Sequence, residues 1–311
     1  MIPDKHFSRR CFLQATALTA GMFSLSPATL MAADRKARRA GGKSTFTLWQ
    51  IPSHRDTIGN SYVFRTASGK VVVMDGGYEH EVPFLRGFLG ALGNEVEAWF
   101  ISHPHPDHME ALNEILKSPQ DLRIKAVYHS RISEAVMKAE PQCEAQCREF
   151  YARLAEQKDI KVVDVQQPGL VFDFDGMQVK VLGVANEFVT NPYNNSSMVM
   201  RVWDKSKSIL FLGDAGVECG QKLLDGPFAD HLDSDFVQMA HHGQNGCDET
   251  FYRAVKFRAC LWSTPTWVWN NDQGKGFNTG ILATVKTRNW MDSLGIKEHH
   301  VSCLEGLCRI D

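Results

Sequence analysis

The chain has 311 residues, with 34 lysine and arginine residues against 36 aspartate and glutamate residues, and 43% of its residues are hydrophobic. This composition supports a substantial core and excludes a disordered, collagen-like or coiled-coil protein. The net charge of −2 argues against a partner such as extended nucleic acid, because that binding requires many clustered cations.

The first 33 residues have the features of an export signal. Residues 8–14 (SRRCFLQ) resemble the twin-arginine export motif of bacteria, and a mildly apolar run over 12–25 and small residues up to Ala33 follow. The run is too short to span a bilayer, so we predict no transmembrane anchor. We expect the twin-arginine machinery to export the protein to the periplasm or the medium, with cleavage near Ala32 or Ala33. An amphipathic first helix is the alternative interpretation.

Cleavage after residue 33 would remove three basic residues and one acidic residue and would change the net charge to −4. Residues 34–44 then form a basic, mobile segment. No proline- or serine-rich linker divides residues 45–311, which we interpret as one domain. Because the twin-arginine pathway exports folded proteins, often with a metal or cofactor already inserted, the signal also hints at a cofactor.

Strands and helices alternate through this domain in two similar halves. Apolar alternation and turn residues predict strands over 45–51, 62–65, 70–75, 98–102, 124–129, 160–165, 178–183, 198–203, 208–213, 235–240 and 259–264, and a final strand pair. Helical periodicity predicts helices over 80–92, 107–117, 141–157, 217–224, 248–256 and 279–294. This order favours an α/β fold, a four-layer αββα sandwich.

Four side chains of the metal-binding type occur within six residues, directly after an apolar strand: His103, His105, Asp107 and His108. Alternation places His103 and His105 on the same side of an extended segment, where both can bind one ion. Asp107 and His108, at the following turn, can reach a second ion. Pro104 and Pro106 lie between them and stiffen this spacing. A solvated histidine-rich loop is the alternative, but the pattern favours a metal centre.

This hexapeptide resembles the HxHxDH signature of the metallo-β-lactamase superfamily, and three further segments resemble that family's motifs in the same order. They are residues 71–77, which contain Asp75-Gly, residues 211–215, which contain Asp214, and residues 237–243, which contain His241-His242-Gly. The resemblance covers residues 45–311 and implies the metallo-β-lactamase sandwich. It also implies that Asp214 bridges two metals and that Asp75 supports the metal site. It favours His242 over His241 as the ligand.

The sequence departs from the family at one ligand. Most members have a third histidine for the first metal, but residues 130–213 contain no histidine, and Asn194-Asn195-Ser196-Ser197 stands in the equivalent place. This arrangement is similar to the branch that contains the ComEC hydrolase domain and the phosphorylcholine esterase. The first metal would then keep His103, His105 and Asp214 and have open positions for water or substrate.

The resemblance implies a metal-dependent hydrolase with two divalent ions bound by His103, His105, Asp107, His108, Asp214 and His242. Zinc is the expected ion, with manganese and iron as alternatives, because imidazole and carboxylate suit all three. A water bridging both ions would supply hydroxide near neutral pH. Asp107, His241 and Asp75 are the predicted catalytic residues, with His241 as a proton or hydrogen-bond donor.

The substrate would be a small molecule in contact with Asn194 or Asn195 and with Trp267. A polar turn is the alternative role for the asparagines, and core packing or a loop lid is the alternative for Trp267. The missing histidine favours a phosphodiester or related phosphorylated substrate. A lactonase or β-lactamase acting on carbonyl substrates, and a non-catalytic binding protein with a degenerate site, are the other two hypotheses.

Seven cysteines remain after the predicted cleavage. Export would permit a disulfide between Cys303 and Cys308, which flank a predicted glycine turn between the last two strands. The other cysteines are interpreted as small buried hydrophobic residues.

Overall fold

The computed structural model describes residues 43–311. The predicted export signal, and residues 34–42 of the predicted basic segment, therefore lie outside the described residues. Within residues 43–311, the helices are too short or too polar for any of them to cross a membrane.

The first of two seven-stranded sheets is antiparallel at one side and parallel at the other. Its order is β16-β1-β2-β3-β5-β7-β8, with β1 Phe46–Gln50, β2 Ser61–Thr66, β3 Val71–Asp75, β5 Ala98–Phe100, β7 Ala126–His129, β8 Lys161–Asp164 and β16 Cys308–Ile310. The first three strands form antiparallel hairpins, whereas β3, β5, β7 and β8 are parallel. Two short strands, β4 Glu95–Val96 and β6 Arg123–Ile124, form a separate parallel pair.

The second sheet has the order β15-β14-β13-β12-β11-β10-β9. Its strands are β9 Val171–Phe174, β10 Met177–Val181, β11 Met200–Trp203, β12 Ser208–Phe211, β13 Phe236–Gln238, β14 Ala259–Trp262 and β15 Glu298–Val301. The pairs from β9 to β12 are antiparallel, and those from β12 to β15 are parallel. Parallel pairs require crossover connections, which helices provide here.

The helices lie outside the two sheets. They are α1 Val82–Ala91, α2 Pro106–Lys117, α3 Glu134–Ala139, α4 Pro141–Glu156, α5 Pro192–Asn195, α6 Val217–Leu224, α7 Glu249–Ala254, α8 Thr266–Trp269, α9 Thr284–Ser293 and α10 Ser302–Glu305. Leu85, Met109 and Phe150, from α1, α2 and α4, join one core cluster with the outer face of the first sheet. Cys219, Phe251 and Met291, from α6, α7 and α9, join another on the outer face of the second sheet.

Successive strand residues face opposite layers, which separates these outer cores from a central one. Val72 lies in the central cluster between the sheets, whereas the next residue, Val73, lies in the helix-covered cluster. On the second sheet, Phe211 lies in the central cluster and the preceding residue, Leu210, lies in the helix-covered cluster. Both faces of each sheet are therefore buried, and the predicted α/β, four-layer αββα sandwich is confirmed.

The end of the chain corrects one prediction. The last two strands do not pair with each other: β15 pairs with β14 in the second sheet, and β16 pairs with β1 in the first. Helix α10 connects them, and it contains Cys303. All seven cysteines in residues 43–311 are unpaired, so the Cys303–Cys308 disulfide is not formed. Helix α9 also begins at Thr284 rather than at residue 279, because the side chain of Asn271 holds the preceding loop by accepting from the Leu282 N–H.

Candidate metal centre

The hexapeptide lies at the carboxyl end of β5, where the chain enters α2. His105 is extended, with φ −78° and ψ 148°, and Pro106 begins the helix. Proline suits this first helical position because its missing N–H would have no helical partner. The second sheet contributes Asp214, which follows β12, and His242, which follows β13. Strand ends of both sheets therefore converge on one place.

Two groups of potential ligand atoms meet there and share Asp214. The first group is formed by His103, His105 and Asp214, and the second by Asp107, His108, Asp214 and His242; within each group the ligand atoms lie within 4.8 Å of one another. We refer to these six residues as the Asp214 cluster. Its two groups contain the same residues that the sequence predicts as metal ligands.

Within each group, the ligand nitrogen and oxygen atoms lie close to one another. In the first group, His103 Nε2 lies 3.0 Å from His105 Nδ1 and 3.9 Å from Asp214 Oδ2. In the second group, His108 Nε2 lies 3.1 Å from Asp214 Oδ1. His242 Nε2 lies 2.8 Å from Asp107 Oδ2.

Protein acceptors engage the outer nitrogen of three imidazoles. Asp75 Oδ2 lies 2.8 Å from His108 Nδ1, the Ser263 carbonyl oxygen lies 2.8 Å from His242 Nδ1, and Glu140 Oε1 lies 2.8 Å from His105 Nε2. A hydrogen bond from the outer N–H to each acceptor would leave the inner lone pair of a neutral imidazole facing the cluster, which is how imidazole ligands are oriented in metal sites. Asp75 thus contacts the cluster through the outer nitrogen of His108.

The electrostatics and the unsatisfied atoms both fit cations. Burial alone would raise the pKa of Asp214, but the neighbouring His108 and His242 lower it well below its ordinary range. Burial, with the nearby imidazoles, lowers the pKa of His103. His108 Nε2 and Asp214 Oδ1 are both buried and lie 3.1 Å apart, but they form no well-aligned hydrogen bond with any described residue. Buried polar atoms without such a bond are costly unless something compensates them. The donor set of imidazole and carboxylate suits zinc, manganese or iron.

The paired histidines have different surroundings. His241 and His242 both adopt left-handed backbone conformations, with φ of 52° and 56°, which are rare outside glycine and concentrate at functional sites. The His242 side chain is fully buried within the cluster, whereas the His241 side chain is 20% exposed and its Nε2 lies 3.8 Å from Asp214 Oδ2. The structure therefore favours His242 as the ligand and leaves His241 at the rim of the site.

The two asparagines predicted to bind substrate have different surroundings in the structure. Asn194 Nδ2 lies 3.5 Å from His241 Nε2, and its Oδ1 has no partner in the described structure. Asn195 is fully buried; its amide donates to the Thr190 carbonyl oxygen and Glu218 and accepts from the Cys219 N–H. This corrects the prediction for Asn195, because its hydrogen-bonding groups hold α6 rather than face the site. Trp267 is half-buried in α8, and its role stays a prediction.

Sequence reasoning missed several residues that shape the centre. Glu140 precedes α4, where nothing in its local sequence marks it as a partner of His105. Ser197, within the segment that replaces the family's third histidine, accepts a hydrogen bond from the Asp214 N–H at 3.0 Å. Its hydroxyl also lies 3.4 Å from His103 Nδ1. The position thus supports the turn of Asp214.

A cavity of about 490 Å³ borders the residues that hold His242. Its lining is rich in hydroxyl groups and includes Ser263 and Thr264 from the end of β14 and one carboxylate, Asp56. The Thr264 hydroxyl donates to the His242 carbonyl oxygen at 2.6 Å. The cavity has the size of a small-molecule pocket, but no residue of the Asp214 cluster lines it; its lining contacts the cluster through the backbone and Nδ1 of His242.

Comparison with known proteins agrees with this geometry. The family model described as "Metallo-beta-lactamase superfamily" matches residues 54–251. Among solved structures, the metallo-beta-lactamase fold protein YhfI from Bacillus subtilis aligns with a TM-score of 0.54 at 12% identity, covering 86% of this chain and 100% of that one. A CmlA beta-hydroxylase E377D mutant aligns with a TM-score of 0.50 at 15% identity, covering 93% of this chain and 60% of that one. No protein with a curated functional description matches the sequence.

Proposed function

Because this chain belongs to the metallo-beta-lactamase superfamily, we propose that it is a metal-dependent hydrolase that binds two divalent cations at the Asp214 cluster. One observation carries the proposal: two groups of ligand atoms share the Asp214 carboxylate. All six ligands are imidazoles or carboxylates, and this set suits zinc, manganese or iron. Zinc is the proposed ion.

When bound, the cations would supply a water of lowered pKa and would polarise the electrophile. Asp214, which belongs to both groups of ligand atoms, would help to hold both cations. Asp75, Glu140 and the Ser263 carbonyl oxygen keep the imidazoles in the correct tautomer and orientation. His241, at the rim, would donate a hydrogen bond or a proton to the substrate's leaving group.

We propose a phosphodiester or related phosphorylated small molecule as the substrate. The first group of ligands has two imidazoles and one carboxylate, and no third histidine. Beside Asp214, the Asn194 amide donates to Asn191 Oδ1 at 2.9 Å and lies 3.5 Å from His241 Nε2, which leaves one amide N–H and a protonated His241 Nε2 as hydrogen-bond donors for a substrate. A tetrahedral phosphoryl group presents several anionic oxygens to such donors, whereas a carbonyl group presents one. This favours phosphoryl over carbonyl chemistry.

The proposal is tested by metal content and substrate choice in the same protein. Protein purified without chelator is analysed for metals beside Asp214→Asn and the control Asp230→Asn, which changes an exposed carboxylate outside the cluster. We expect about two ions at this cluster in the wild type and in the control, and loss of at least one in Asp214→Asn. Bis(p-nitrophenyl) phosphate, a lactone and a β-lactam are then compared as substrates.

Hydrolysis of the phosphodiester that Asp214→Asn abolishes would support the proposal. Turnover of the lactone or lactam alone would replace it with a carbonyl hydrolase. Fewer than one ion per chain and no turnover would leave a binding protein with a degenerate site.

We also propose export by the twin-arginine pathway, on the motif in residues 8–14. The test replaces Arg9 and Arg10 with lysine and follows the chain in cell fractions. Retention of the double variant in the cytoplasm, and a mature wild-type chain that begins near residue 33 or 34, would support export. Equal distribution of the uncleaved variant and wild type would contradict it.

A further inference from the structure

A second cluster of metal-binding side chains lies where the two sheets are joined at the end of the chain. His300 is in β15, Glu305 ends α10, and Cys308 begins β16. Their ligand atoms lie within 4.8 Å of one another. We refer to these three residues as the edge cluster. It shares no residue with the Asp214 cluster.

The distances in the edge cluster match those between ligands of one tetrahedral ion. Cys308 Sγ lies 3.3 Å from His300 Nδ1, and Glu305 Oε2 lies 3.3 Å from the same nitrogen. With zinc bond lengths of about 2.3 Å to sulfur and about 2.0–2.1 Å to nitrogen and oxygen, tetrahedral geometry separates sulfur from nitrogen by about 3.5 Å and nitrogen from oxygen by about 3.4 Å. The side chains would need to move little to bind one ion.

The outer nitrogen of His300 is engaged as in the Asp214 cluster. Glu298 Oε1 lies 3.2 Å from His300 Nε2, and the other oxygen of Glu298 accepts from Arg258. When Nε2–H donates to this carboxylate and Nδ1 carries no proton, the Nδ1 lone pair would face Cys308 and Glu305 and be free for a cation. This is the outer hydrogen bond that orients most histidine ligands.

Burial and charge also favour a cation. Cys308 is only 7% exposed, whereas the Glu305 side chain is 42% exposed, so the thiol lies inside and the carboxylate on the solvent side, where an ion can enter. The carboxylates of Glu298 and Glu305 lie on either side of the His300 imidazole. A thiolate, an imidazole and a carboxylate together form a donor set that suits zinc.

We propose that Cys308, His300 and Glu305 bind a zinc ion, with water as the fourth ligand, and that this ion ties β15 to β16. Because β15 belongs to the second sheet and β16 to the first, the ion connects the two sheets at one edge of the sandwich. The site is structural, and it does not depend on the proposed function. A cation-free hydrogen-bonded cluster is the competing arrangement.

The test uses cobalt, because only a thiolate ligand gives bound Co²⁺ an intense near-ultraviolet charge-transfer band, and the Asp214 cluster contains no cysteine. Metal-free full-length protein is titrated with Co²⁺ alone. We expect the band in the wild type and its loss in Cys308→Ser. The matched control is Cys303→Ser, which changes a half-buried cysteine of α10 outside the cluster and should keep the band.

A second variant leaves the thiol in place. Glu305→Gln keeps the shape of an exposed side chain, and we expect Co²⁺ to bind to the edge cluster at least about tenfold more weakly. Zinc content should also fall by one ion per chain in Cys308→Ser but stay unchanged at this site in Asp214→Asn. Circular dichroism confirms that each variant is folded.

Three results would overturn the proposal. The first is the absence of a charge-transfer band in folded wild-type protein. The second is a band that persists in Cys308→Ser. The third is a band lost in Cys143→Ser instead, which would place the thiolate ligand beside His105 and Glu140. The first two results do not bear on metal binding through Asp214, and the third is recognised by the variant that loses the band, so the failure of this inference and of the proposed function can be told apart.

Discussion

At the scale of single residues, Glu140 decides which nitrogen of His105 faces the metal centre. Its carboxylate lies 2.8 Å from His105 Nε2, and the His105 ring is stacked on Tyr193 with ring centroids 5.1 Å apart. We predict that Glu140→Ala weakens binding of the first ion by about 10–100-fold. Glu140→Gln keeps a hydrogen-bond acceptor and should restore part of the affinity. Isothermal titration of metal-free protein with Zn²⁺ measures both.

Glu144→Ala is the matched control, because Glu144 lies in the first turn of α4, which Glu140 precedes, and pairs with Arg148 at the surface. Glu144→Ala should leave the affinity for the first ion and the affinity for the second ion unchanged. Equal affinities in Glu140→Ala and Glu144→Ala would show that stacking and the backbone alone hold His105.

The adjacent asparagines provide a second prediction, since they are identical in type but have different hydrogen-bond partners. Asn195→Ala removes three hydrogen bonds of a fully buried side chain, and we expect the free energy of unfolding to fall by about 2–4 kcal/mol. Asn194→Ala should change stability far less and reduce turnover instead. Urea unfolding and steady-state kinetics on each variant measure the two effects. Reversed effects would reassign the residue that faces the substrate.

The residues of the centre that the sequence predicts are those that lie in local motifs. His103, His105, Asp107 and His108 lie within six residues, so strand alternation and the helix start fix their relative positions. The supporting residues come from separate segments: Glu140 is 35 residues from His105. Such pairs form through tertiary packing, and no local pattern marks them.

At the scale of elements, the turn over residues 240–243 positions His242 through an unusual backbone. Gly243 follows the two left-handed histidines with φ 80°, and a Cβ placed there would lie 2.4 Å from the Trp262 ring. Only glycine fits this position, because any side chain would clash with a fully buried tryptophan. The packing of the turn against β14 thereby fixes the direction of the His242 side chain.

Gly243→Ala should therefore lower the free energy of unfolding by about 3 kcal/mol or more and weaken binding of the second metal ion. Gly274→Ala is the matched control: it also has a positive φ, of 94°, but open space around its Cβ position. Backbone strain alone should cost about 1 kcal/mol there. Equal losses in the two variants, measured by urea unfolding, would show that the Trp262 contact does not matter.

At the scale of the whole molecule, strand alternation predicts the layers but not every strand partner. Consecutive strand residues such as Val72 and Val73 face opposite sides of the sheet, and both are apolar. This pattern indicates a sheet covered on both sides. The partner of β16 is set by a contact with β1, at the other end of the chain, and proximity in sequence to β15 suggested the wrong pairing. Partners that distant depend on the assembled core rather than on local pattern.

Asp204 joins the two sheets by hydrogen bonds between remote segments. It follows β11 in the second sheet and accepts from the Thr45 N–H, before β1 in the first, at 2.6 Å. It also accepts from the Ser206 hydroxyl and the Lys207 N–H. Burial alone would raise the pKa of Asp204, but these donors lower it to about 2. Lys207 donates in turn to the Phe46 carbonyl oxygen at 2.7 Å.

Because folding lowers this pKa, the ionised carboxylate stabilises the folded protein above its ordinary pKa of 3.8 and loses that effect as the pH falls through about 2. We expect Asp204→Asn to lower the free energy of unfolding at pH 7 by about 1–2 kcal/mol. The difference from wild type should shrink between pH 4 and pH 2. Asp225→Asn, which changes an exposed carboxylate, should be nearly neutral at both pH values. A deficit in Asp204→Asn that stays constant down to pH 2 would mean that the charge of Asp204 does not hold the sheets together, and that its shape and neutral hydrogen bonds do.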